Sequence, residues 1–458
     1  MKRTLLALWL MISAFVCANA GVVLPAIFSD HMVLEQNTTV KIWGWAKPKE
    51  MITITPSWGG EVVKVEPGND ASWSAEIVTP KAGGPYEITV KGYNEVTIHD
   101  VMIGEVWVCS GQSNMEWSVG AGFEGRDEVV AKASKPELRF FNVDYRTSAT
   151  PTHDVSGRWV VCSPETVGAC SAIGYFIGEQ MNASLGCPVG IINSSWGGTA
   201  IESWIESTPF EMCDYLRKQN ELLNEHEWGP VRPALIYNAM LAPLGGYKAS
   251  GVAWYQGEAN VDNHESYTDM MFPLVEGFRR LFGEDIPFVF AQIAPYNYGE
   301  NTKGVEIQNR QRLSLQIPGT AMVCLNDIGN PQDIHPRKKR EAGLRFADAV
   351  LHIAYGKTER PLMGPIFKSM EVIKNKAIIT FDYADGLKCE GKALTWFEIS
   401  ADGETFVPAK AVIKNGKVEV SAKGIKMPKH VRFAWSNIAE PNLFNGAGLP
   451  ASCFTTKQ

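Results

Sequence analysis

Positive charge is in short supply in this sequence: 43 lysines and arginines face 50 aspartates and glutamates, a net charge of −7 over 458 residues. Binding along a phosphate backbone needs clustered cations, so nucleic acid is excluded as the main partner and a neutral or weakly charged sugar is left open. Cysteine is scarce too. Nine cysteines, with no C-x-x-C pair and no Cys/His spacing suited to zinc, make neither a disulfide scaffold nor a structural zinc site. Cys162 and Cys170 are close enough in sequence to bridge, while buried free thiols account for the others. The chain has no H-E-x-x-H zinc motif, no G-x-S-x-G elbow, no convincing repeat and no low-complexity linker. No apolar run reaches the ~20 residues needed to span a bilayer. What is present, 45% hydrophobic and 20% charged residues, is the composition of a folded globular protein rather than of a disordered chain or a coiled coil.

The amino terminus carries an address. Lys2 and Arg3 precede the apolar run Thr4–Ile12, and Ala18-Asn19-Ala20 closes the stretch before Gly21. A basic region, a short apolar core and a small-x-small cleavage site predict a secretory signal peptide over 1–20, and hence a periplasmic or secreted protein. Phe15-Val16 ahead of Cys17 is bulkier than a lipoprotein signal allows, which weighs against anchoring through that cysteine. Loss of Lys2 and Arg3 with the leader moves the net charge from −7 to −9.

The texture of the chain then changes twice. Over 21–100, short alternating runs such as Thr39–Trp45, Met51–Thr55, Glu61–Val65, Trp73–Ile77 and Tyr86–Val90 predict an antiparallel β-sandwich-like region. Over 101–360, strands alternate with helices. The strands are Glu105–Cys109, Pro188–Ile192, Gly251–Tyr255, Phe288–Gln292 and Ala321–Leu325; the helices lie around Ile173–Leu185, over Tyr267–Phe282 and over Pro336–Ile353. This order predicts an α/β domain with a mostly parallel sheet covered by helices on both faces. Over 361–458 short strands return, as in Ala377–Phe381 and Lys417–Val420, with a hairpin-like turn at Ser400–Glu404.

Ligands of open α/β sheets bind beyond the carboxyl ends of the strands, and four of the five predicted strands end in unusual chemistry. The first runs into Ser110-Gly111-Gln112-Ser113-Asn114-Met115-Glu116-Trp117, which places the Ser113 hydroxyl at the mouth of a buried strand. A turn-capping serine is the simpler reading of that residue alone. The fifth runs into Asn326–Pro336, where His335 follows Asp333 by two residues. A neutral imidazole there suits a general base. The second ends in Asn193-Ser194-Ser195-Trp196-Gly197-Gly198-Thr199, whose backbone N–H groups can approach an oxyanion, and the third in Gln256-Gly257-Glu258-Ala259-Asn260, which offers side-chain amides. Each is an ordinary turn by itself. Together on one sheet edge they read as a site for serine-based acyl transfer.

These four blocks resemble those of the SGNH (GDSL-like) hydrolases, and more closely those of the sialate O-acetylesterase branch of exported carbohydrate acetylesterases. They occur in the right order, and the flanking β-regions look like that branch as well. The resemblance implies a three-layer α/β/α hydrolase domain and removal of O-acetyl groups from sugars, sialic acid first among them, acetylated xylan being the alternative. It implies Ser113 as nucleophile and His335 as general base, with backbone N–H groups of Ser113 and of Gly197 or Gly198 as oxyanion donors. Two departures stand out. The superfamily's acid lies three residues before the histidine, where this chain has Gln332. Asp333 therefore orients His335 by its carboxylate or its backbone carbonyl, with Asp327 a distant rival. The third block lacks the usual Gly-x-Asn, leaving Gln256 and then Asn260 as the side-chain oxyanion donor.

No metal, cofactor or protein partner is called for. Gly120–Gly125 matches a dinucleotide fingerprint by letter but follows no strand, and Gly386–Lys392 approaches a P-loop with Ala393 in place of Ser/Thr, so both read as turns. A purely carbohydrate-binding role for the β-regions and 14 tryptophans gives no reason for Ser113, His335 and an acid at adjoining strand ends. Arg310 and Arg312 are candidates for a sialate carboxylate, or else solvated charges on a helix face.

Overall fold

The computed structural model describes residues 21–457, so the leader expected over 1–20, Cys17 included, lies outside the described residues. The first strands are β1 (Val33–Glu35), β2 (Thr39–Trp45), β3 (Ile52–Pro56), β4 (Val63–Val65), β5 (Ser72–Val78), β6 (Gly83–Lys91) and β7 (Glu95–Gly111). Period-two alternation decides their faces: Val40 and Ile42 of β2, and Trp73, Ala75 and Ile77 of β5, point inward where the two strands pair antiparallel. β3 pairs antiparallel with β4 and β6, and β6 with the start of β7. One pairing departs from the all-antiparallel expectation, since β1 runs parallel to β7.

β7 crosses position 100 without a break. Its first half closes the amino-terminal sheet, and its second half, buried from Val101 to Gly111, enters the centre of the next. There it is joined by β8 (Lys135–Val143), β9 (Gly157–Cys162), β10 (Val189–Ser195), β11 (Gly251–Tyr255), β12 (Phe288–Ala291) and β13 (Thr320–Val323). The spatial order is β13-β12-β11-β7-β10-β8-β9, parallel throughout except for the antiparallel edge strand β9. All five strands expected from sequence are present. β8 and β9 are additional; Pro136 near the start of β8 and Arg139 among its few apolar residues hide the strand signal there.

The helices relevant to the site are α1 (Ser113–Glu116), α2 (Ala172–Leu185), α3 (Tyr267–Phe282), α4 (Lys303–Leu313) and α5 (Lys339–Tyr355). α2 starts where Ser171 Oγ accepts the Gly174 N–H at 3.0 Å and ends at Gly186. α5 begins at Lys339, not at Pro336 as the proline suggested. The segment before it is held open by Arg337, whose carbonyl accepts the Glu124 N–H and whose guanidinium reaches back to Asp333.

One apolar core runs from the amino-terminal strands through the central sheet, joining Ile42 and Ile54 to Trp107, Ile191 and Trp254. The carboxy-terminal strands are antiparallel and enclose a second core around Ile379, Phe397, Val418 and Phe454, into which Val305 of α4 inserts. Cys162 and Cys170 are separate buried thiols, so the bridge that their spacing allowed is not made. The Gly120–Gly125 and Gly386–Lys392 segments are turn-rich, with Gly122, Gly125, Gly386 and Gly391 at positive φ.

At the base of the central sheet Glu35 and Glu105 share the Ser250 hydroxyl, at 2.7 and 2.6 Å. Burial, then the Glu105 charge, pushes the Glu35 carboxyl up to about 8. A carboxyl whose pKa rises on folding imposes no penalty below its unfolded value of about 4.5; the penalty grows as pH climbs through the folded value. The melting temperature of the protein is therefore expected to fall by several degrees between pH 5 and pH 8.5. Glu35→Gln, which keeps an acceptor for the Val106 N–H at 2.8 Å, is expected to flatten that dependence in a series of thermal melts.

Candidate active site

The carboxyl ends of β7, β10 and β11 converge. At the end of β7 Gly111 has φ 134°, and a Cβ there would meet the Tyr255 carbonyl oxygen at 2.1 Å. Glycine lets the chain turn against β11 and lift Ser113 out of the sheet. The loop after β13 brings in His335, whose Nε2 lies 2.9 Å from Ser113 Oγ, although 222 positions separate the two residues. In the tautomer with Nε2 unprotonated, the serine hydroxyl donates to the imidazole. Trp117 packs against the His335 ring with centroids 4.8 Å apart, and Arg337 covers Trp117 at 4.7 Å.

Asp333 stands next to His335 but does not hydrogen-bond to its ring. Its Oδ1 accepts the His335 backbone N–H at 2.9 Å and lies 3.9 Å from Nδ1, an electrostatic separation; Oδ2 accepts from Arg337 Nε at 3.2 Å. Partial burial raises the Asp333 carboxyl, but those bonds and the charges of Arg337 and His335 outweigh it and hold the group below its ordinary value. Asp327 is taken up elsewhere: Arg345 grips both its oxygens, at 2.7 and 2.6 Å.

Burial, reinforced by the charges of Lys339 and Arg337, lowers the His335 pKa against the opposing pull of Asp333. Lys339 is itself buried, and desolvation brings its ammonium down to about 7. It donates to Asn114 Oδ1 at 2.5 Å, and Asn114 Nδ2 donates to Glu258 Oε1 at 2.7 Å, so a buried Lys–Asn–Glu chain lies behind the Ser113–His335 pair. Glu258 Oε2 has no partner among the described residues, and burial pushes that carboxyl up. With His335 as the general base, the acid limb of the kcat/KM profile is expected below the ordinary imidazole value of about 6.5. Lys339→Met removes a neighbouring positive charge and should move that limb upward by up to about one pH unit, as read from rates between pH 5 and 9.

The two amides expected to face an oxyanion do not. Gln256 and Asn260 are fully buried. Gln256 Nε2 donates to Asn260 Oδ1 at 2.7 Å and to the Thr199 carbonyl at 3.1 Å, while Asn260 Nδ2 donates to Glu202 at 2.8 Å and to Asn263 at 3.0 Å. They tie the β10 and β11 loops together because unpaired amides would be costly at that depth. Gly197 is also engaged, its N–H donating to Glu116 Oε2 at 2.6 Å. Gly198, at φ 73°, and Ser113 have backbone N–H groups without an acceptor among the described residues. Gln112 adds a donor: its Oε1 accepts the Gly257 and Ala259 N–H groups at 3.3 and 3.2 Å, which leaves its Nε2 free beside Ser113 among the described residues.

Ser113 and His335 open into a cavity of about 520 Å³, lined also by Gln112, Glu116, Tyr145, Trp196, Trp228 and Glu258, a size suited to a small ligand. Tyr145 stacks on Trp196 at 4.4 Å and donates its hydroxyl to Glu116; Trp228 at the rim is 76% exposed. A second cavity of about 610 Å³, lined by Asn142, Asp144, Asn193 and Ser195, meets the first at Ser113, Glu116, Tyr145 and His335. Arg310 and Arg312 line neither; they face a different cavity between α4 and the carboxy-terminal strands. Among the described residues no group of three or more His, Cys, Asp or Glu side chains is placed to hold a metal ion, and no helix is long and apolar enough to cross a membrane. Sequence reading passed over Gln112 and Glu116, although both flank Ser113 in its own block. Lys339 gave no signal, because a lysine at the start of a helix reads as solvated.

Residues 103–352 match the sialic acid-specific acetylesterases, a family of carbohydrate esterases. The chain belongs to that family. It is 28% identical to the sialate O-acetylesterase of Mus musculus, over 85% of this chain and 84% of the mouse protein, and 27% identical to that of Homo sapiens, over 84% and 80%. A crystal structure of a carbohydrate acetylesterase from Xanthomonas citri superposes with a TM-score of 0.87 at 33% identity, covering 95% of this chain and 99% of that one. The acetylesterase is thus a carboxylic ester hydrolase acting on O-acetylated sugars, on an α/β fold with β-rich flanks.

Proposed function

We propose that this acetylesterase is exported through the leader at 1–20 and works through an acetyl-Ser113 intermediate on an SGNH-type three-layer α/β/α domain. The observation that carries the reading is the 2.9 Å contact between Ser113 Oγ and His335 Nε2 at the floor of an aromatic-rimmed cavity. His335 takes the Ser113 proton as the oxygen attacks the acetyl carbonyl. The backbone N–H groups of Ser113 and Gly198, with Gln112 Nε2, receive the charge that develops on the carbonyl oxygen, each donor contributing roughly 3–4 kcal/mol to the transition state. His335 then passes its proton to the departing sugar oxygen. Water, deprotonated by His335, attacks the acetyl group; acetate leaves and Ser113 regains its proton. Asp333 holds the loop of His335 through the backbone N–H and stabilises the imidazolium by charge across 3.9 Å.

The cavity accepts an uncharged, ester-bearing end of a sugar. Among the described residues no lysine or arginine lines it, whereas Glu116 and Glu258 do, and its walls are Tyr145, Trp196 and Trp228. A 9-O-acetyl sialic acid fits this description, because its carboxylate is at the far end of the molecule from the ester. A neutral acetylated polysaccharide is favoured by one further observation: the second cavity meets the first at Ser113, leaving room for a chain on both sides of the ester. Acetate release from 9-O-acetyl sialic acid and from acetylated xylan is the deciding measurement. Faster release from the first assigns the sialate reading, and faster release from the second the polysaccharide reading. Release from neither, with simple acetate esters still cleaved, overturns both.

A further inference from the structure

Arg310 and Arg312 close the last turn of α4 and line a cavity of about 670 Å³ walled on its other side by Phe367 and Lys368 of a carboxy-terminal strand and by Trp435, which follows the strand His430–Phe433. Arg312 Nε and Nη2 both donate to Asn309 Oδ1, at 3.1 and 2.8 Å, which fixes the guanidinium and leaves Nη1 without an acceptor among the described residues. Its carbon lies 5.9 Å from the centre of the Phe367 ring. Burial lowers the Arg312 pKa, and among the described residues no carboxylate pairs with it. Of the other charges on the wall, Glu306 is paired with His264 at 2.5 Å and Lys368 with Asp382 at 2.6 Å, while the exposed Lys457 adds an ammonium without an ion pair among the described residues. The exposed Glu265 is the remaining acid on the wall. Arg310 makes no ion pair among the described residues.

We infer that this cavity is a second carbohydrate site, separate from Ser113, which takes a carboxylate-bearing pyranose with its carboxylate on Arg312 and Arg310 and a sugar face on Trp435. A rigid guanidinium with a free N–H edge is suited to a carboxylate. A partly exposed indole offers a flat apolar surface with a polar edge, which suits a sugar ring. A site for the sugar acid here lets the enzyme hold an acidic glycan while the Ser113 cavity, lined by no lysine or arginine among the described residues, processes an uncharged acetylated unit. Neither Ser113 nor His335 lines this cavity.

The test is titration calorimetry on the full chain with three oligosaccharides: a glucuronic acid-substituted xylo-oligosaccharide, sialyllactose and unsubstituted xylohexaose. Ser113→Ala serves as the parent protein so that hydrolysis does not interfere. At least one acidic sugar is expected to bind at least about tenfold more tightly than xylohexaose, and which one binds identifies the source of the carboxylate. Arg312→Ala and, separately, Arg310→Ala should weaken that binding by about tenfold or more. In the Ser113-containing enzyme the same arginine variants should hydrolyse 4-nitrophenyl acetate at unchanged rates, which also reports an intact fold. Equal affinity for neutral and acidic sugars, no binding of either acid, or acid binding indifferent to both arginine variants overturns the inference. Tight binding of a polyglutamate peptide in place of both sugars would assign the cavity to an acidic protein segment and overturn it as well.

Discussion

Ser113→Ala is expected to reduce hydrolysis of 4-nitrophenyl acetate by on the order of 10⁵–10⁶-fold while the melting temperature and near-ultraviolet circular dichroism stay those of the parent. The size follows from the chemistry. Removing Oγ removes the atom proposed to attack, and His335 alone at 2.9 Å from that position has no serine nucleophile to activate. The fold is expected to survive because the Ser113 side chain is only partly buried and its hydrogen bond is to the partly exposed His335. Gly111, the Gln112 anchor to the β11 loop and the Lys339–Asn114–Glu258 chain are untouched by the substitution. A variant that folds and retains more than about one per cent of parental kcat/KM contradicts the acetyl-Ser113 mechanism.

Asp333→Asn carries the second-largest expected effect, a fall in kcat of about 10²–10⁴-fold. Asparagine keeps an oxygen for the His335 backbone N–H, so the loop should hold its place. What it loses is the charge that faces the imidazolium across 3.9 Å. The carboxylate raises the His335 pKa, so its loss should also shift the acid limb of the rate profile further down. A purely structural role for Asp333 predicts no such shift, and the pH profile separates the two. Asp327→Asn is the control. Asp327 is bound by both nitrogens of Arg345, so this variant should lower the melting temperature with little change in the limb. A large loss of kcat in Asp327→Asn, with Asp333→Asn near normal, reverses the assignment.

Much of the architecture could be read directly from the order of residues. Runs such as Gly251–Tyr255 and Phe288–Ala291 are apolar on both faces, and only a strand buried on both sides accommodates that pattern. The reading failed where the local signal was mixed. β8 starts with Lys135-Pro136-Glu137 and is a strand because its neighbours β9 and β10 pair with it. Pro336 looked like the first residue of a helix, yet the Arg337 contacts with Asp333 and Glu124 keep that segment irregular. The break expected at 100/101 falls inside β7, since a strand can close one sheet and begin another if its second half is apolar throughout.

The sequence by itself determined the chemistry available to this acetylesterase: a serine, a histidine and an acid at strand ends, with glycine loops between them. A residue's type and its place after a buried strand are local properties, legible one segment at a time. The tertiary structure decided which groups are free to act. Gln256, Asn260 and the Gly197 N–H were reasonable oxyanion donors until neighbouring loops consumed them, and Gln112, whose oxygen is pinned by the β11 loop, was left with its amide nitrogen free. It also carried Arg310 and Arg312 away from Ser113 to another cavity, and buried Lys339 where its charge bears on His335. The reason is physical: whether a donor is available and how a charge is felt depend on what packs against it, and that is set by segments hundreds of residues apart.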